Sequence, residues 1–432
     1  METTENTDDC ETTGFLRHSL LMFLALRAGD AVSLAAGMWF VPRYVSPEDI
    51  GAVLPVTSFA TFLSLPAFAL AMAVMKESAL LCARGERGRV KSLLGGVFAA
   101  VAAALVLVLA VAALTVPRYL GLMRVSDASV GFLVVAAAFL GCVAPVYTDA
   151  LQSLKRFRSL AAVEVAGSFV RFATMLVVMP ARALAGYFAG QAALPAFRIV
   201  GSVVALRRDL AVKAEAYWSR ESARRLALAF VAILVYQGVP MAASLVEQTI
   251  LRTSLSSADS AGYYMVSRYS DFLSYLTFPL LLVMFPYTAA AASRNGSTRP
   301  YVLRCSAVAL AAAAAMSAAY ALFGPQLLAL MPHGGDYAQY AVYMPVLTVA
   351  GAMTTCQVFY ANAEVSAGRF GFLWWLVPLH VVYPAALAAA ARLGFVKDMA
   401  TFVAWLSAAA AARFAFSAFA IARTKASAVR AA

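Results

Sequence analysis

The stretch YTDALQSLKRF at residues 147–157 returns in altered form as YANAEVSAGRF at residues 360–370. Six positions agree in kind, and each is displaced by 213 residues along the chain. The matching positions are Tyr147, Asp149, Ala150, Ser153, Arg156 and Phe157 in the first stretch, and Tyr360, Asn362, Ala363, Ser366, Arg369 and Phe370 in the second. A displacement of about half the chain indicates that the two halves are related.

Two further echoes occur at almost the same displacement. They are Ser46, Asp49 and Gly51 against Ser256, Asp259 and Gly262, and Arg198, Ser202 and Arg208 against Arg413, Ser417 and Arg423. Each echo alone is weak, because Ala, Ser and Arg are common in this chain, but all three keep one order at offsets from 210 to 215. In a chain this apolar, a duplicated half predicts a transporter built from two membrane bundles.

The composition indicates a membrane protein, because 62% of the 432 residues are hydrophobic and only 13% are charged. Continuous apolar runs, rich in Ala and Leu, are long enough to cross about 30 Å of hydrocarbon as helices. They predict twelve spans, at 16–41, 51–75, 92–116, 130–150, 161–180, 183–206, 226–251, 262–290, 303–323, 339–361, 371–391 and 399–422. We therefore predict an all-α integral membrane protein with twelve transmembrane helices in two six-helix pseudo-symmetric bundles around a central cleft.

Charged segments divide the chain further. The predicted parts are a cytoplasmic tail (1–15), an N-terminal six-helix bundle (16–206), a cytoplasmic linker helix (207–225), a C-terminal six-helix bundle (226–422) and a cytoplasmic tail (423–432). The linker RRDLAVKAEAYWSRESARR has a helix-forming composition, with Tyr217 and Trp218 among cations. Such a segment is typical of a helix lying along the inner leaflet.

The net charge of +12 does not indicate nucleic acid. With the N-terminus placed in the cytoplasm, 22 of the 34 Lys and Arg residues fall in cytoplasmic segments, 7 in outer segments and 5 inside spans. This asymmetry follows the positive-inside rule and predicts a multi-pass protein of the cell inner membrane with both termini in the cytoplasm. Contact with anionic membrane lipids accounts for the basicity. The acidic N-terminus and the long first apolar run predict no cleavable signal.

Sequence motifs for catalysis and cofactor binding are missing from the chain. It contains no G-x-x-x-x-G-K-[ST], no H-E-x-x-H and no G-x-S-x-G. The five cysteines are scattered without paired spacing, which predicts neither a disulfide framework nor a metal site. The outer loops are short, and even the longest, near 324–338, could not hold a catalytic domain. We expect a protein that is not an enzyme and that needs no cofactor or metal.

Five arginines fall within the predicted spans: Arg27, Arg171, Arg198, Arg268 and Arg413. An arginine facing lipid costs about 2.5–3.5 kcal/mol at the membrane centre on insertion scales, so we expect these side chains to face protein or a wet cavity. Arg198 lies near enough to the inner surface to snorkel, and Arg413 occupies the equivalent place in the last helix.

Carboxylates accompany three of these arginines. Asp30 follows Arg27 by three residues, and Asp271 follows Arg268 by three, which places each pair on one helical face. Glu164 lies seven residues before Arg171 and either pairs with it or sits at the cytoplasmic surface. Two interpretations remain open. The pairs either only neutralise charge, or they form a cationic lining for an anionic substrate in which Asp30 and Asp271 hold the guanidinium groups or take a coupling ion.

The second helix of each half carries a proline at similar depth, Pro66 and Pro279. A proline frees a backbone carbonyl and bends a helix. The paired prolines either form hinges for opening and closing or only shape packing.

Three stretches resemble polysaccharide (O-antigen type) flippases of the multidrug/oligosaccharidyl-lipid/polysaccharide exporter superfamily. FVPRYVSPEDIGAV (40–53), followed by a proline-bent second helix, is similar to the start of these flippases. SADSAGYYMVSRYSDFLSYLTFPLLLVMFPYTAA (257–290) is similar to their seventh-to-eighth helix region, and ALQSLKRFRSLAAVEVAGSFVRF (150–172) to the loop entering their fifth helix. The resemblance runs over most of the chain.

The resemblance implies a transporter that flips a polyprenyl-diphosphate-linked oligosaccharide from the inner to the outer leaflet for surface polysaccharide biosynthesis. It implies that Arg27 and Arg268, on the first and eighth helices, contact the diphosphate. We predict Arg171, near the middle of its span, as a third substrate-binding residue. The partners implied are the lipid-linked oligosaccharide, membrane lipids, and polysaccharide polymerase and glycosyltransferase enzymes.

Two other functions compete with flipping. A multidrug or metabolite antiporter of the same superfamily, coupled to protons or sodium, could use Asp30 as its coupling carboxylate. An arginine-rich lining suits anions better than cationic drugs and counts against this function. A membrane glycosyl polymerase or ligase would need a large outer loop, which the sequence lacks.

Overall fold

The computed structural model describes residues 24–29, 31–83, 85–154, 156–208, 211–293, 296–367 and 369–430, and these residues contain helices but no strands. The helices are α1 (Leu24–Tyr44), α2 (Pro47–Ala83), α3 (Arg87–Leu122), α4 (Ala128–Ser153), α5 (Phe157–Leu206), α6 (Arg220–Ser254), α7 (Ser257–Ser293), α8 (Arg299–Ala329), α9 (Tyr343–Ser366), α10 (Leu373–Arg392) and α11 (Met399–Arg430). A π-helical turn at Ala36–Phe40 interrupts α1, and a 3-10 helix at Gly334–Val342 precedes α9.

Ten of the described helical segments are long and apolar enough to cross a membrane. One of the ten, α5, folds back on itself and supplies two spans. With α7 as a further long helix, these segments account for the twelve predicted spans. Large apolar side chains are exposed on the helix surfaces, such as Phe132 at 75% and Trp374 at 86%. Such exposure is typical of residues that face lipid. The all-α membrane fold class is therefore confirmed.

The hairpin within α5 is made by a single residue with non-helical backbone, Ala183, at φ 38° and ψ −112°. The two legs then run side by side in opposite directions. A Cβ atom on Gly186 would lie 2.5 Å from the Met179 backbone nitrogen, and one on Gly190 would lie 2.5 Å from Met175 Cγ. Only glycine permits this approach, so the legs are in direct contact over the turns next to Ala183.

The chain divides into two compact units. Unit 1 comprises Met1–Val45 and Pro55–Leu245, and unit 2 comprises Ser46–Leu54 and Val246–Ala432. Unit 1 therefore extends well past the predicted linker, into α6. The reason is packing, since buried Leu226 of α6 belongs to the apolar cluster of unit 1 and Arg225 forms an ion pair with Glu77 of α2 at 2.8 Å.

Each unit has its own apolar core. In unit 1, α4 packs against α3 and α5, and buried leucines such as Leu93, Leu151 and Leu206 lie between them. In unit 2, α9 packs against α7, α8 and α11, and Leu273 and Ala313 belong to its core. The central helices α4 and α9 are the ones that carry the repeated stretch of the sequence.

The repeat extends to the way the helices begin. The Ser46 side chain accepts from the Asp49 backbone N–H at 3.2 Å and donates to the Asp49 carboxylate at 3.0 Å. Ser256 and Asp259 form the same pair of hydrogen bonds, at 3.0 and 2.8 Å. The echo at these positions is therefore a helix cap present at the start of both α2 and α7.

The repeat extends equally to the ends of α4 and α9. The Arg156 backbone N–H donates to the Leu151 carbonyl at 2.9 Å, and Arg369 donates to the Glu364 carbonyl at 2.8 Å, displaced by the same 213 residues. The shared positions thus specify the same backbone turn in both units. The start of α4 is capped differently, by the Asp127 side chain, which accepts from the Ser129 backbone N–H at 2.8 Å. Hydrogen bonds from Ser129 lower the pKa of Asp127.

The predicted linker helix over 207–225 is wrong for its central part. Residues 213–219 have no helix, and Arg220 already begins α6. Residues 211–219, which we name the linker strap, bond to the first turns of α3 instead of to themselves. The contacts are Glu215 N to Gly88 O at 3.1 Å, Lys91 Nζ to Val212 O at 2.8 Å and Trp218 Nε1 to Ser92 O at 3.2 Å.

The two predicted tails have different outcomes. Residues 1–15 lie outside the described part of the chain. The backbone of α11 remains helical through Arg430, so residues 423–430 of the predicted tail continue the last helix. The Ala-rich composition there favours helix over coil.

Candidate functional site

A cavity of about 290 Å³ lies within unit 1, between α2, α4 and the second leg of α5. We name it the unit 1 cavity. Its walls come from residues between 57 and 68 on α2, between 137 and 149 on α4, and between 188 and 198 on α5. The volume is close to the lower end of the range for small-molecule sites.

One end of the cavity is charged. Asp149 and Arg198 both line it, near the C-terminal ends of α4 and α5. Arg198 Nη2 forms an ion pair with Glu164 Oε2 on the opposite leg of α5, at 2.5 Å. Asp149 has no ion-pair partner among the described residues. The guanidinium charge is therefore already matched by Glu164, and Asp149 is the acid at this end that has no cationic partner among the described residues.

Three of the four hydroxyl groups on the α2 and α4 walls are arranged as acceptors, and the fourth, Thr57, has no hydrogen-bond partner among the described residues. Thr61 donates to the Thr57 carbonyl at 2.9 Å, and Ser64 donates to the Thr61 carbonyl at 2.8 Å. Thr148 donates to the Ala144 carbonyl at 3.3 Å. Since each of these three hydroxyl hydrogens is used within its own helix, the oxygen lone pairs are what these groups can offer to a ligand. Phe68 and Phe188 supply aromatic surface.

The predicted pairing of Arg171 with Glu164 is wrong, because Glu164 pairs with Arg198. Seven residues on one helix are about 10 Å apart along its axis, too far for a direct ion pair. The hairpin instead brings Arg198 level with Glu164. Arg171 Nε is buried and has no hydrogen-bond partner within the described part of the chain.

The other predicted residues lie outside the unit 1 cavity. Arg268 and Asp271 form the expected ion pair of α7 at 3.1 Å, and the Arg268 guanidinium also lies 5.0 Å from the centre of the Tyr264 ring. Arg27 is half-buried on α1, and its predicted partner Asp30 lies outside the described residues. Pro66 and Pro279 lie within the continuous helices α2 and α7, and the hinge role stays a prediction.

Unit 2 has a polar cluster at the place equivalent to Arg198. Arg413 Nη1 lies 3.3 Å from His380 Nε2, and His380 Nδ1 lies 2.9 Å from the Leu376 carbonyl. The carbonyl can only accept and the guanidinium can only donate, so this geometry assigns the neutral imidazole with its proton on Nδ1. The Arg413 guanidinium also lies over the ring of Tyr383, 5.6 Å from its centre, and the Tyr383 hydroxyl donates to the Glu247 carboxylate at 3.2 Å. The arginine of each repeat thus has a polar partner on a neighbouring helical segment.

Sequence reasoning did not select Asp149 as a site residue. The signal was present, since Asp149 and Asn362 occupy the same position of the repeated stretch. In unit 2 the amide of Asn362 donates to the Val358 carbonyl of its own helix at 2.9 Å. Only unit 1 therefore carries an ionisable group at this position.

Comparison with protein families found no matching family model, and no curated protein matches the chain. Solved structures do match. The chain is similar to the inward-facing conformation of a multidrug resistance MATE family transporter of the MOP superfamily, with a TM-score of 0.71 and 14% identity over 92% of this chain and 95% of that one. The outward-facing conformation of such a transporter matches at TM-score 0.59 and 17% identity, over 95% and 96%.

A third similar structure is a MOP superfamily transporter from Pyrococcus furiosus, described as having a binding pocket of reversed polarity that suggests a different function. It matches at TM-score 0.62 and 16% identity, over 95% of this chain and 96% of that one. At such identities the likeness establishes the fold alone. The protein is thus a multi-pass helical membrane protein with the fold of MATE transporters.

Proposed function

We propose that this protein is a membrane antiporter that exports small organic cations in exchange for protons or sodium ions. The observation that carries the proposal is Asp149, a carboxylate that lines a membrane cavity and has no ion pair among the described residues. A carboxylate in such a place is costly unless a cation or a proton neutralises it. It is therefore a natural binding group for either.

The charges of the arginines support a cationic rather than an anionic substrate. Arg198 is matched by Glu164 and Arg268 by Asp271, so neither offers an uncompensated charge to a diphosphate. The lining hydroxyls of Thr61 and Ser64 are oriented as acceptors. When Asp149 is ionised, a cavity with this carboxylate and these acceptor hydroxyls attracts cations and repels phosphates.

Exchange follows from competition for one carboxylate. The substrate cation and the coupling ion cannot both neutralise Asp149, so binding of one releases the other. Alternating access would then convert this competition into antiport. Support for alternating access comes from the fold, which in the similar MATE transporters has been solved in both inward-facing and outward-facing conformations.

The test is transport by the purified protein in proteoliposomes. Asp149→Asn keeps the size of the side chain and removes its charge. We expect the apparent affinity for the organic cation, measured from the dependence of transport rate on its concentration, to fall at least about 30-fold. The reason is that losing one member of a buried charge pair costs ~2 kcal/mol or more. Asp336→Asn, which removes an exposed acid from the 3-10 helix, is the matched control and should transport normally. Normal cation efflux by Asp149→Asn would refute the proposal.

The second candidate is flipping of a lipid-linked oligosaccharide, as the sequence resemblance implies. The observation that favours it is the buried Arg171 Nε, a guanidinium donor that no described group accepts from. Deletion of the gene separates the two functions. Accumulation of lipid-linked oligosaccharide with loss of surface glycan would establish flipping, whereas intact glycan with new sensitivity to cationic compounds would establish antiport.

A further inference from the structure

We infer that the unit 1 cavity selects cations that carry an uncharged hydrogen-bond donor at the end opposite the ammonium group. This inference rests on the proposed cation transport and adds the chemical class of the substrate. It is carried by two prolines that line the cavity, Pro145 on α4 and Pro195 on the second leg of α5.

Each proline frees one backbone carbonyl. A helical proline has no N–H to give to the carbonyl four residues earlier, and its ring lies against that oxygen. The two carbonyls concerned belong to Gly141 and Gln191, and both residues also line the cavity. Gly141 has no side chain, so it can contribute only backbone atoms to the wall. None of the side-chain hydrogen bonds found among the described residues ends on either oxygen.

The two carbonyls lie at one level of the cavity. Gly141 precedes Asp149 by eight residues, and Gln191 precedes Arg198 by seven. Helix α4 and the second leg of α5 run in the same direction, because each is antiparallel to the first leg of α5. The freed carbonyls therefore form a second tier, two helical turns from the charged end. Ser64 lies beside it, with its Oγ atom 3.6 Å from the position of a Cβ on Gly141.

The spacing between the tiers sets the length of the ligand. Eight residues rise about 12 Å along a helix, but carbonyls point forward along the axis and side chains lean backward, which leaves ~7–8 Å between the oxygens. Among the described lining residues, the second tier has no acid, so a second ammonium group would lack a counter-charge there. Neutral carbonyls accept a hydrogen bond from an uncharged hydroxyl or amide, which needs no counter-charge.

The test compares two probes of equal size, 4-aminobutanol and pentylamine, by calorimetry on the full-length protein in nanodiscs. They share the ammonium group and differ by a terminal hydroxyl in place of a methyl. If the second tier accepts a hydrogen bond, the amino alcohol binds about fivefold more tightly. If this end of the cavity offers no hydrogen-bond acceptor, pentylamine binds more tightly than 4-aminobutanol, because burying a hydroxyl without a partner costs free energy.

Pro145→Ala and Pro195→Ala provide the matching variants. Each restores the backbone N–H that binds the freed carbonyl within its own helix. We expect the preference for 4-aminobutanol over pentylamine to fall about fivefold in the double variant. The preference is a ratio of two affinities, so a change of cavity shape that weakens both probes equally does not alter it. Pro117→Ala, on α3 and away from the cavity, is the control and should keep the preference.

The outcomes separate this inference from the proposed function. If both probes bind, both depend on Asp149, and no hydroxyl preference exists, the two-tier assignment is wrong and cation transport stands. A preference that survives the double proline variant also overturns it. If neither probe binds or both ignore Asp149→Asn, the proposed function itself fails.

Discussion

At the scale of single residues, two of the membrane arginines, Arg198 and Arg268, form ion pairs with carboxylates, and the two pairs arise in different ways. Arg268 and Asp271 are three residues apart on one helix, and this pair was predictable from spacing alone. Arg198 and Glu164 are 34 residues apart, and only the hairpin at Ala183 brings them together. Spacings within one helix could not reveal the Arg198–Glu164 pair, because its members lie on different legs of the α5 hairpin. The sequence does not show how closely these two legs pack.

The pair across the hairpin leads to a prediction. Glu164→Ala leaves the Arg198 guanidinium, one third exposed, without its counter-charge. We expect a loss of about 1–3 kcal/mol in the free energy of unfolding, less than for a fully buried pair because water still reaches the arginine. Unfolding in detergent, followed by circular dichroism, measures it. The double variant Glu164→Ala, Arg198→Leu should recover most of the loss, and equal instability of the two variants would contradict this account.

At the scale of elements, the spans were predictable because apolar length is a local property of the sequence. The turn between the fifth and sixth spans was also placed correctly, at 181–182 next to Ala183. The linker strap was not predictable. Its composition favours helix, yet tertiary hydrogen bonds to α3 outweigh that propensity. Asp149 was visible in the repeat, but only the cavity around it indicates a role.

The linker strap can be tested at two adjacent glycines of α3. A Cβ on Gly96 would lie 2.2 Å from Trp218 Nε1, whereas nothing lies within 4 Å of one on Gly95. Gly96→Leu should therefore displace Trp218 and release the strap, and Gly95→Leu should not. We expect faster tryptic cleavage at Lys213 in Gly96→Leu, because cleavage follows the population of the open form. Equal cleavage rates in the two variants would show that Trp218 does not hold the strap.

At the scale of the whole molecule, the even number of spans and the distribution of Lys and Arg predict which loops face the cytoplasm. Single cysteines at the exposed positions Ser126, Ala214 and Lys397, in a background without the native cysteines, test this topology. We expect a membrane-impermeant maleimide added to intact cells to label Ser126→Cys and Lys397→Cys, and to label Ala214→Cys only after lysis. Labelling of Ala214→Cys in intact cells would show that the segment around residue 214 faces the outside, opposite to the predicted topology.

The hairpin of α5 has a mechanical consequence. Its two legs are joined by a single non-helical residue, Ala183. Close contacts of Gly186 with Met179 and of Gly190 with Met175 hold the legs in one register. A ratchet of one leg past the other by a helical turn would require the joint to unravel. The pair consequently behaves as one rigid element, so any bending within unit 1 has to come from its other helices, which are α1, α2, α3, α4 and the part of α6 up to Leu245.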